Sequence, residues 1–480
     1  MMREFKKYDE YKESGIEWMD NIPKNWDILE NKYIFRYRKN YKNREEDTPV
    51  LSLTINGVKL KKELSFGKST ESYIGHQLVY PGELVFTPRD FDQTPILSGV
   101  SKDYGCISNL YFVLDSNERA INEYINYYWW GLKYGYDYFR NFSTGLRYSF
   151  NRAEFDRIPF ICPSIKEQQK IASFLDQKTA EIDEIITKKE KLIDHLEKYK
   201  KSVITEAVTK GKLGDKYINE DGELVDEIEM KDSGVEWIGE IPEYWEVSKI
   251  KYLLLDGNDG IRIGPFGSSL KLEEMNPNFP YKVYGQKHVI NNNFRIGTRY
   301  INETKFKEMK RYEIFPEDIL VTMMGTIGKC KVIPKEIKRG IIDSHLIRIR
   351  VNESKILADF LALTIEKNHY TYEAMNYLSN GTVMSGLNST IIKDLTVVLP
   401  SIENQNIIIN YLSEKTEEID NLIEKTKESI EKYKEYKKSM IFEAVTGKID
   451  LRDYELEGGK EIVEHNNSRE AERKELSEVN

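Results

Sequence analysis

One long segment of this chain occurs twice, and that repeat constrains the fold more than any other feature of the sequence. Residues 163–209 align without a gap with residues 400–446 and are identical at 23 of 47 positions. Agreement over so long a run does not arise by chance. Each copy predicts one long helix, because Ser164 and Glu167 have the spacing of a capping box and a glycine follows the end of both copies.

Apolar residues recur along both copies at a spacing close to 3.5, which is typical of helices that pair in a coiled coil. We call these residues the helix seam: Ile182, Ile186, Ile193, Leu196 and Val203 in the first copy, and Ile419, Ile423, Ile430, Tyr433 and Met440 in the second. Each helix would be about 65 Å long, and the simplest way to bury both halves of the seam is against each other. The sequence therefore predicts a pseudo-twofold pair of helices.

The seam is interrupted at one matched position, which is Lys189 in the first copy and Thr426 in the second. A polar side chain inside a seam can fix the register of two helices at some cost in stability. A solvent-facing position outside the seam explains the same residues equally well, and the sequence alone does not decide between the two.

Length and composition indicate more than one domain. The 480 residues exceed what one hydrophobic core organises. No apolar run approaches the eighteen or so residues that span a bilayer, the first twelve residues are mostly polar or charged, and the three cysteines are scattered. We therefore expect a cytoplasmic protein without a membrane segment, structural disulfides or a cysteine-ligated zinc.

The net charge of −9 hides an uneven distribution. Residues 28–160 carry 18 lysines and arginines against 16 acidic residues, and residues 248–399 carry 22 against 16. The acidic excess lies in the predicted helices, the linker and the C-terminal tail. Two mildly basic segments leave a nucleic-acid partner open, because the location of charge decides such binding more than its sum.

A second repeat precedes each basic segment. Residues 12–28 and 231–247 agree at 8 of 17 positions. Each copy contains two tryptophans, which are Trp18 and Trp26 in the first and Trp237 and Trp245 in the second. Indoles near a proline can stack on nucleic-acid bases or pack against a helix or a domain edge. Packing is the stronger interpretation, because aromatic residues in a fixed frame around proline are usually structural.

The two halves thus share a frame and differ in content. Short β-rich runs alternate with Gly, Pro and Asn turns between the repeats, so the predicted fold class is α+β: two globular α/β domains separated by two long helices, with a pseudo-twofold internal repeat. The predicted boundaries are 1–162 for the first domain, 163–213 for the first helix, 214–399 for an acidic linker and the second domain, 400–450 for the second helix, and 451–480 for an acidic, disordered tail.

Catalytic signatures are nearly absent. The six histidines show no metal-ligand spacing, and no glycine-rich phosphate loop has the required spacing. One set of residues, Pro316, Asp318, Glu336 and Lys338, imitates the carboxylates and lysine of many restriction nucleases. The first half does not reproduce it, so a nuclease site is the weaker interpretation and no catalytic residue is predicted.

Two motifs of the repeated frame resemble a known family. Residues 14–26 (SGIEWMDNIPKNW) resemble the entry segment of the specificity subunits of type I restriction–modification enzymes. Residues 175–183 (LDQKTAEID) resemble the helix signature of that family. The resemblance covers residues 12–450. The second copy of the signature departs from it at Ser413, where the aspartate is missing.

Further segments resemble other parts of that family. Residues 264–271 (GPFGSSLK) and 285–289 (GQKHV) are similar to segments of its recognition domains, although the first domain here has no GPFGSS-like stretch. Residues 205–208 (TEAV) resemble a four-residue unit that related subunits carry in varying number near the end of the first long helix. We expect a flexible linker at residues 211–232 to follow it.

The resemblance implies that two target-recognition domains alternate with two long antiparallel helices in a coiled coil. It implies a subunit without catalysis of its own that reads a bipartite site in double-stranded DNA. The implied partners are two modification subunits, which methylate adenine N6 with S-adenosylmethionine, and through them restriction motor-nuclease subunits that use ATP and magnesium. The chain itself would bind no cofactor. A stand-alone nuclease and a coiled-coil scaffold of a defence complex are the alternatives.

Base contacts in such a domain come from polar side chains on loops. The candidates are Ser268, Ser269, Lys271, Gln286, Lys287 and His288 in the second domain, and Arg89, Asp90, Arg140, Asn141, Arg147 and Tyr148 in the first. The alternative for residues 264–267 is a tight turn that contacts nothing, and for His288 a buried histidine with satisfied hydrogen bonds.

Overall fold

The computed structural model describes residues 5–16, 19–36, 41–61, 72–89, 95–136, 149–236, 238–257, 259–324, 326–367 and 387–455. The chain forms two compact units. The first comprises Met1–Lys189 and Lys427–Asn480, and the second comprises Glu190–Thr426. Each unit contains one globular domain and a part of both long helices.

The first unit is built mainly from short strands that pair antiparallel. Its strands are β1 Tyr11–Ile16, β2 Met19–Pro23, β3 Asp27–Glu30, β4 Phe35–Arg36, β5 Leu51–Thr54, β6 Gly57–Leu60, β7 Gln77–Val79, β8 Leu84–Phe86, β9 Ser98–Val100, β10 Gly105–Ile107, β11 Phe112–Ser116 and β12 Pro159–Cys162. Its helices are α1 Asn122–Tyr136, α2 Arg152–Asp156 and the start of the long α3 Ile165–Lys210.

The second unit continues from α3. Its strands are β13 Lys212–Leu213, β14 Lys216–Ile218, β15 Leu224–Val225, β16 Met230–Asp232, β17 Glu240–Pro242, β18 Glu246–Lys249, β19 Ile261–Ile263, β20 Tyr281–Tyr284, β21 Tyr300–Ile301, β22 Ile319–Thr322, β23 Cys330–Val332, β24 Gly340–Ile342, β25 Leu346–Ile349 and β26 Thr396–Leu399. Its helices are α4 Gln286–Ile290, α5 Glu303–Glu308, α6 Ala358–Lys367, α7 Ser389–Asp394 and the start of the long α8 Ile402–Val445, which ends in the first unit.

The central sheets of the two domains have the same topology. The strand order is β4-β11-β8-β9 in the first domain and β19-β25-β22-β23 in the second, and all neighbours are antiparallel. In each domain a further antiparallel pair, β3 with β12 or β18 with β26, lies just before a long helix. The prediction of two α+β domains is confirmed. The two domains have the same topology although little of their sequence is shared.

The ends of both long helices agree with their capping signals. The backbone N–H of Ser164 donates to the Glu167 carboxylate (3.3 Å) and the Glu167 N–H donates to the Ser164 hydroxyl (3.3 Å), so the predicted capping box is confirmed. Gly211 and Gly447 follow the helices with φ of +62° and +72°, in the left-handed region that favours glycine. A Cβ on Gly447 would lie 2.4 Å from the ring of Pro23.

Seam residues are buried or half-buried inside each unit. In the first unit Ile182, Ile430 and Met440 are buried and Ile186 and Tyr433 are half-buried; in the second Val203, Ile419 and Ile423 are buried and Ile193 and Leu196 are half-buried. The Lys189 ammonium lies 5.8 Å from the ring centre of Tyr433. The buried Thr426 hydroxyl donates to the Leu422 carbonyl (2.7 Å). The two polar positions therefore lie along the seam and not on a solvated face.

One buried glutamine fixes each domain to the start of a long helix. The Gln168 side chain donates to the carbonyls of Arg119 and Pro163 (2.9 Å each) and accepts from the Ile121 N–H (3.0 Å), just before α1. Gln405, at the matched position of the repeat, forms the same three contacts in front of α6: it donates to Lys355 and Pro400 and accepts from Leu357.

The tryptophans of the entry repeat are packed. Trp26 and Trp245 are fully buried in the cores of their units, and the Trp26 indole N–H donates to the Glu167 carboxylate (3.2 Å). The packing interpretation is confirmed for these two indoles. Trp18 and Trp237 lie outside the described residues.

The segment after α3 is a small sheet, so the expectation of a flexible linker is wrong. Strands β13, β14 and β15 pair in sequence order, and this sheet packs on the start of α8. The Asn404 amide donates to the Asn219 carbonyl (3.1 Å), and a Cβ on Gly222 would lie 3.1 Å from Ile407. Acidic composition masked a hairpin turn at Asp221-Gly222, where Gly222 has a φ of +81°.

The start of the predicted tail is also packed. The Asp450 N–H donates to the Lys6 carbonyl (2.7 Å), Leu451 is buried, and the rings of Tyr454 and Phe174 lie 4.8 Å apart. Residues up to 455 therefore belong to the first unit. The remainder of the tail, 456–480, lies outside the described residues.

We expect the two glutamine contacts to stabilise separate units. Gln168→Ala removes three hydrogen bonds to backbone groups and should lower the free energy of unfolding of the first unit by roughly 2–4 kcal/mol, and Gln405→Ala should do the same in the second. Hydrogen–deuterium exchange read by mass spectrometry should show faster exchange in α1 for the first variant and in α6 for the second. The exposed Lys166→Ala is the control, and equal protection in all variants would contradict the assignment.

Candidate nucleic-acid interface

Three loops of the second domain meet at one edge of its central sheet. Strands β19 and β22 end at the edge where the antiparallel β25 begins. The Gly264 N–H donates to the Leu346 carbonyl (3.0 Å), and the Met323 N–H donates to the His345 carbonyl (3.0 Å). The loop after β19, the loop after β22 and the loop before β25 are therefore neighbours.

The segment that begins at Gly285 reaches the same edge by a different route. Strand β20 pairs in parallel with β24, so both strands end there, and the Asp343 N–H donates to the Tyr284 carbonyl (2.8 Å). An added Cβ on Gly285 would lie 2.3 Å from the Asp343 carboxylate, and one on Gly264 would lie 1.8 Å from the Asp343 carbonyl. The structure thus brings both predicted contact segments together around Asp343, and close approach requires a glycine in each.

Asp343 is the fixed point of this edge. Its buried carboxylate accepts from the Arg299 guanidinium (2.8 Å) and from the His345 N–H (3.0 Å). A buried carboxylate with a guanidinium and a backbone donor is held in one geometry. The loops around it are therefore positioned before any ligand arrives.

The predicted contact residues of the second domain differ in exposure. Ser268, Lys271 and Lys287 are exposed, and Ser269 and Gln286 are half-buried. The loop backbone is held by the Ser269 N–H, which donates to the Phe266 carbonyl (2.8 Å). Lys271 extends from a fixed backbone, since its own N–H donates to the Glu274 carboxylate (3.3 Å).

His288 is the residue for which the structure favours the alternative. It is 1% exposed; its Nδ1 lies 2.9 Å from the Gly285 N–H, and its Nε2 lies 2.9 Å from the Ile296 carbonyl. Both ring nitrogens are occupied by backbone partners, so none is left for a base edge. We therefore assign His288 a structural role, in which it ties α4 to the loop at 291–297.

One residue of this edge was not nominated from the sequence. Phe266 is 84% exposed, although it sits on a loop whose Pro265 is buried and whose backbone is hydrogen-bonded. A phenylalanine held in water by a rigid loop is available to a partner surface. The sequence signal for Phe266 is the Gly-Pro-Phe-Gly run, which is typical of a turn, whereas base readout alone favours only polar side chains.

The equivalent edge of the first domain carries Arg89. It lies in the loop after β8, just as residues 323–324 lie in the loop after β22. Arg89 forms an isolated antiparallel β-bridge with Ser149. Beside it, the Phe150 N–H donates to the Pro88 carbonyl (2.8 Å). Arg89 is exposed and borders an open cleft of about 640 Å³ beside Asn109. The other candidates of this domain, Asp90, Arg140, Asn141, Arg147 and Tyr148, lie outside the described residues.

The nuclease-like residues are already engaged in other contacts. Asp318 is buried and accepts from the Arg350 guanidinium (2.6 Å) and the Phe315 N–H (2.8 Å); burial raises the pKa of its carboxyl group, although Arg350 opposes the shift. Glu336 is on the surface beside Arg295. Among the residues that the structure describes, no three His, Cys, Asp or Glu side chains form a group that could hold a metal ion.

The length and the polarity of the helices decide whether one of them could cross a membrane. Within the described ranges, none of the helices combines the length and the apolar character that crossing a bilayer requires. Both long helices are rich in charged residues along their solvent-facing sides.

Comparison with known proteins identifies the family to which this chain belongs. The model of the type I restriction modification DNA specificity domain matches residues 100–195 and 266–432, which together are more than half of the chain. The chain therefore belongs to the family of type I restriction–modification specificity subunits.

Two curated relatives come from Methanocaldococcus jannaschii. The type I restriction enzyme MjaX specificity subunit is 24% identical over 307 residues, which is 63% of this chain and 62% of that protein. The MjaVIII specificity subunit is 24% identical over 359 residues, covering 73% of this chain and 75% of that protein. The chain thus spans somewhat less than two thirds of the MjaX subunit's length.

A solved structure has a similar fold. A chain from a structure of a type I restriction–modification system superposes with a TM-score of 0.64 at 12% sequence identity, and the match covers 89% of this chain and 99% of that one. At that identity the similarity concerns the fold alone.

The buried histidine generates a pH prediction. Burial lowers the pKa of His288, with Lys282 and Lys287 acting in the same direction, so the folded state prefers the neutral ring. Its stabilising contribution is full above the ordinary histidine pKa near 6.5 and is lost as the pH falls below that value. We expect the free energy of unfolding of the second unit to drop between pH 7.5 and 5.5, with a smaller drop in His288→Asn. His195→Asn, at an exposed position of α3, should keep the wild-type pH dependence, and identical profiles for all three proteins would refute the role.

Proposed function

We propose that this chain is the DNA-reading subunit of a type I restriction–modification complex and that each globular domain reads one half of a bipartite site in double-stranded DNA. The observation that carries the proposal is the repeated sheet edge: β8 with β11, and β22 with β25, present different loops at the same place in the same topology. Polar side chains on such loops can read base edges, and basic ones can hold phosphates. Two loop sets on one topology suit two different half-sites.

The frame in this proposal is a pseudo-twofold antiparallel coiled coil. Two ion pairs support it: Lys437 lies 2.7 Å from Asp183 in the first unit, and Lys200 pairs with Asp420 in the second. The two lysines occupy matched positions of the repeat, and so do the two aspartates. One contact that forms twice, with the roles of the copies exchanged, is what two antiparallel copies of one helix produce.

The partners in this proposal are those of the family. Two modification subunits would bind S-adenosylmethionine and methylate adenine N6, and restriction subunits would use ATP and magnesium, all in the cytoplasm. The chain itself would hold the DNA and the partners without catalysing a step. The engagement of Asp318 with Arg350 supports this division, because a carboxylate held by a guanidinium is a poor metal ligand.

A domain exchange tests the bipartite reading. Replacing Ile28–Phe160 by the domain of another family member should change one half of the methylated sequence and leave the other half unchanged, because each half is contacted by a separate domain. The exchange keeps two cross-strand pairs of β3 and β12 together, because Leu29 lies opposite Phe160 and Glu30 lies opposite Pro159. Methylome sequencing of cells that carry the chimaera with its modification subunits gives the answer.

The reciprocal exchange is the matched control. This exchange replaces residues 248–399, which begin within β18 and end with β26, the pair equivalent to β3 and β12. It should change only the other half-site. A chimaera that alters both halves, or a methylated sequence that follows neither exchange, would rule out independent reading.

A duplication tests whether the helices set the distance between half-sites. A second copy of residues 205–208 lengthens α3 by about 6 Å and adds roughly 40° of rotation, which is nearly two base pairs of DNA at about 3.4 Å each. The ordered sheet after α3 leaves no flexible linker to absorb the change. We expect the nonspecific spacer to grow by one or two base pairs while both half-sites keep their sequences.

A two-residue insertion at the same point is the control. It rotates the following residues by roughly 200° and would put Ala207 and Val203, both buried, on different faces of α3, so we expect loss of folding in the second unit. A folded, active duplication variant with an unchanged spacer would mean that the helices hold partners without measuring DNA.

A further inference from the structure

A basic cleft lies beside the candidate interface in the second domain. Its volume is about 870 Å³, and its lining includes four cationic side chains and one carboxylate, which are Lys282, Arg295, Lys335, Lys338 and Glu336. None of the loop residues nominated above lines it. Its chemistry therefore needs a separate explanation.

The floor of the cleft is a buried lysine without a counter-ion. Lys282, on β20, is 2% exposed. Its ammonium donates to the Phe294 carbonyl (2.8 Å) and lies 5.5 Å and 5.8 Å from the ring centres of Tyr284 and Tyr300. Among the residues that the structure describes, no carboxylate forms an ion pair with it.

Such a lysine is costly for the free protein. An ammonium has three donors, and a charge taken out of water is tolerated when it is paired. Burial lowers the pKa of Lys282, and the neighbouring Lys338 and Lys287 lower it further. Its carbonyl and aromatic contacts supply no opposite full charge, so an anion in the cleft would relieve an existing cost.

The mouth of the cleft adds cations that are free to bind. Lys335 and Lys338 are exposed, and within the described part of the chain neither has a carboxylate partner. The Lys338 ammonium lies 5.1 Å from the ring centre of Tyr300, the same ring that the Lys282 ammonium approaches. The one carboxylate, that of Glu336, is 3.9 Å from Arg295 at the solvent-facing rim.

The wall of the cleft is held in place by backbone contacts. The Asn293 N–H donates to the His288 carbonyl (2.9 Å), the Arg295 N–H donates to the Asn293 side chain (2.9 Å), and the ring of His288 contacts the Ile296 carbonyl. The carbonyl of Phe294, which receives the Lys282 ammonium, is carried by this braced loop. The position of the buried charge is therefore set in advance, as a binding site requires.

We propose that this cleft binds a phosphate group, with Lys282 at its floor and Lys338 and Lys335 at its mouth. A phosphate offers several anionic oxygens to donors that converge from different elements, and lysine serves it as a point charge. The source that we favour is a backbone phosphate of DNA, because Lys287 of the candidate interface lies against the loop that forms the wall of the cleft: a Cβ on Gly297 would lie 3.0 Å from the Lys287 ammonium. The DNA source rests on the proposed function, whereas the phosphate site does not.

The first experiment uses the full chain with inorganic phosphate. Phosphate, titrated at constant ionic strength with chloride as the reference anion, should raise the thermal unfolding midpoint of the wild-type protein. Lys282→Met and Lys338→Ala should each raise the phosphate dissociation constant by about tenfold, the loss expected for one charge-assisted hydrogen bond. Lys310→Ala, at an exposed position of the same domain outside the cleft, should behave as wild type.

The second experiment identifies the source of the phosphate. For a DNA duplex, the slope of log Kd against log salt should fall in magnitude by about 0.9 in Lys338→Ala relative to wild type, the amount expected for one lost phosphate contact. The affinity should fall equally for different sequences, because a phosphate carries no base identity. Loss of phosphate binding with an unchanged slope would assign the site to free phosphate or a nucleotide.

The two experiments separate the possible failures. No midpoint shift with phosphate in the wild-type protein, together with an unchanged salt slope, would overturn the site. A chain that binds phosphate through these lysines but binds no DNA would overturn the proposed function and leave the site. Lys338→Ala keeps the proposal testable even if the buried Lys282→Met perturbs folding, because Lys338 is on the surface.

Discussion

The structure depends first on the burial of one glutamine at the start of each long helix. Gln168 and Gln405 each satisfy three backbone groups that belong to the entry of a domain helix and to the turn before the long helix. A buried amide that is fully used fixes distance and direction at once, because any displacement leaves backbone groups without partners. Each domain is thereby attached to its helix as a rigid extension, and the domain interiors can differ without disturbing the attachment.

The far ends of the helices use a different device, which is close approach of glycine to an aromatic ring. A Cβ on Gly211 would lie 3.0 Å from Trp245, and one on Gly447 would lie 3.1 Å from Trp26. The two copies differ in the hydrogen bond beneath this shared contact. The Trp26 indole N–H donates to Glu167. Asn404 stands at the position that matches Glu167, and the Trp245 indole N–H has no partner among the described residues. The close approach of glycine to tryptophan is thus present in both units, whereas the hydrogen-bond partner of the indole is not.

Local signals predicted most of the frame, and nonlocal pairing decided the rest. The capping box at Ser164, the helix-ending glycines and the buried Trp26 follow from short spacings, because their physics is contained within a few residues. The convergence on Asp343 could not be read from the sequence, since it depends on β20 pairing in parallel with β24 across more than fifty residues. The burial of His288 could not be read from the sequence for the same reason, because it is produced by a loop that folds back over the ring.

The rigidity of the candidate interface originates in the sheet below it. Arg348, which is buried on β25, donates to the Asp259 carboxylate (2.5 Å) and to the Glu313 carbonyl (2.6 Å), and Arg350 pairs with Asp318. The Arg350–Asp318 pair is the more deeply buried of the two, and breaking a buried ion pair is costly even though it adds little net stability, so these contacts hold one strand arrangement. Loops that leave a sheet of this kind begin from fixed points, and their variation can change what is recognised without changing where recognition occurs.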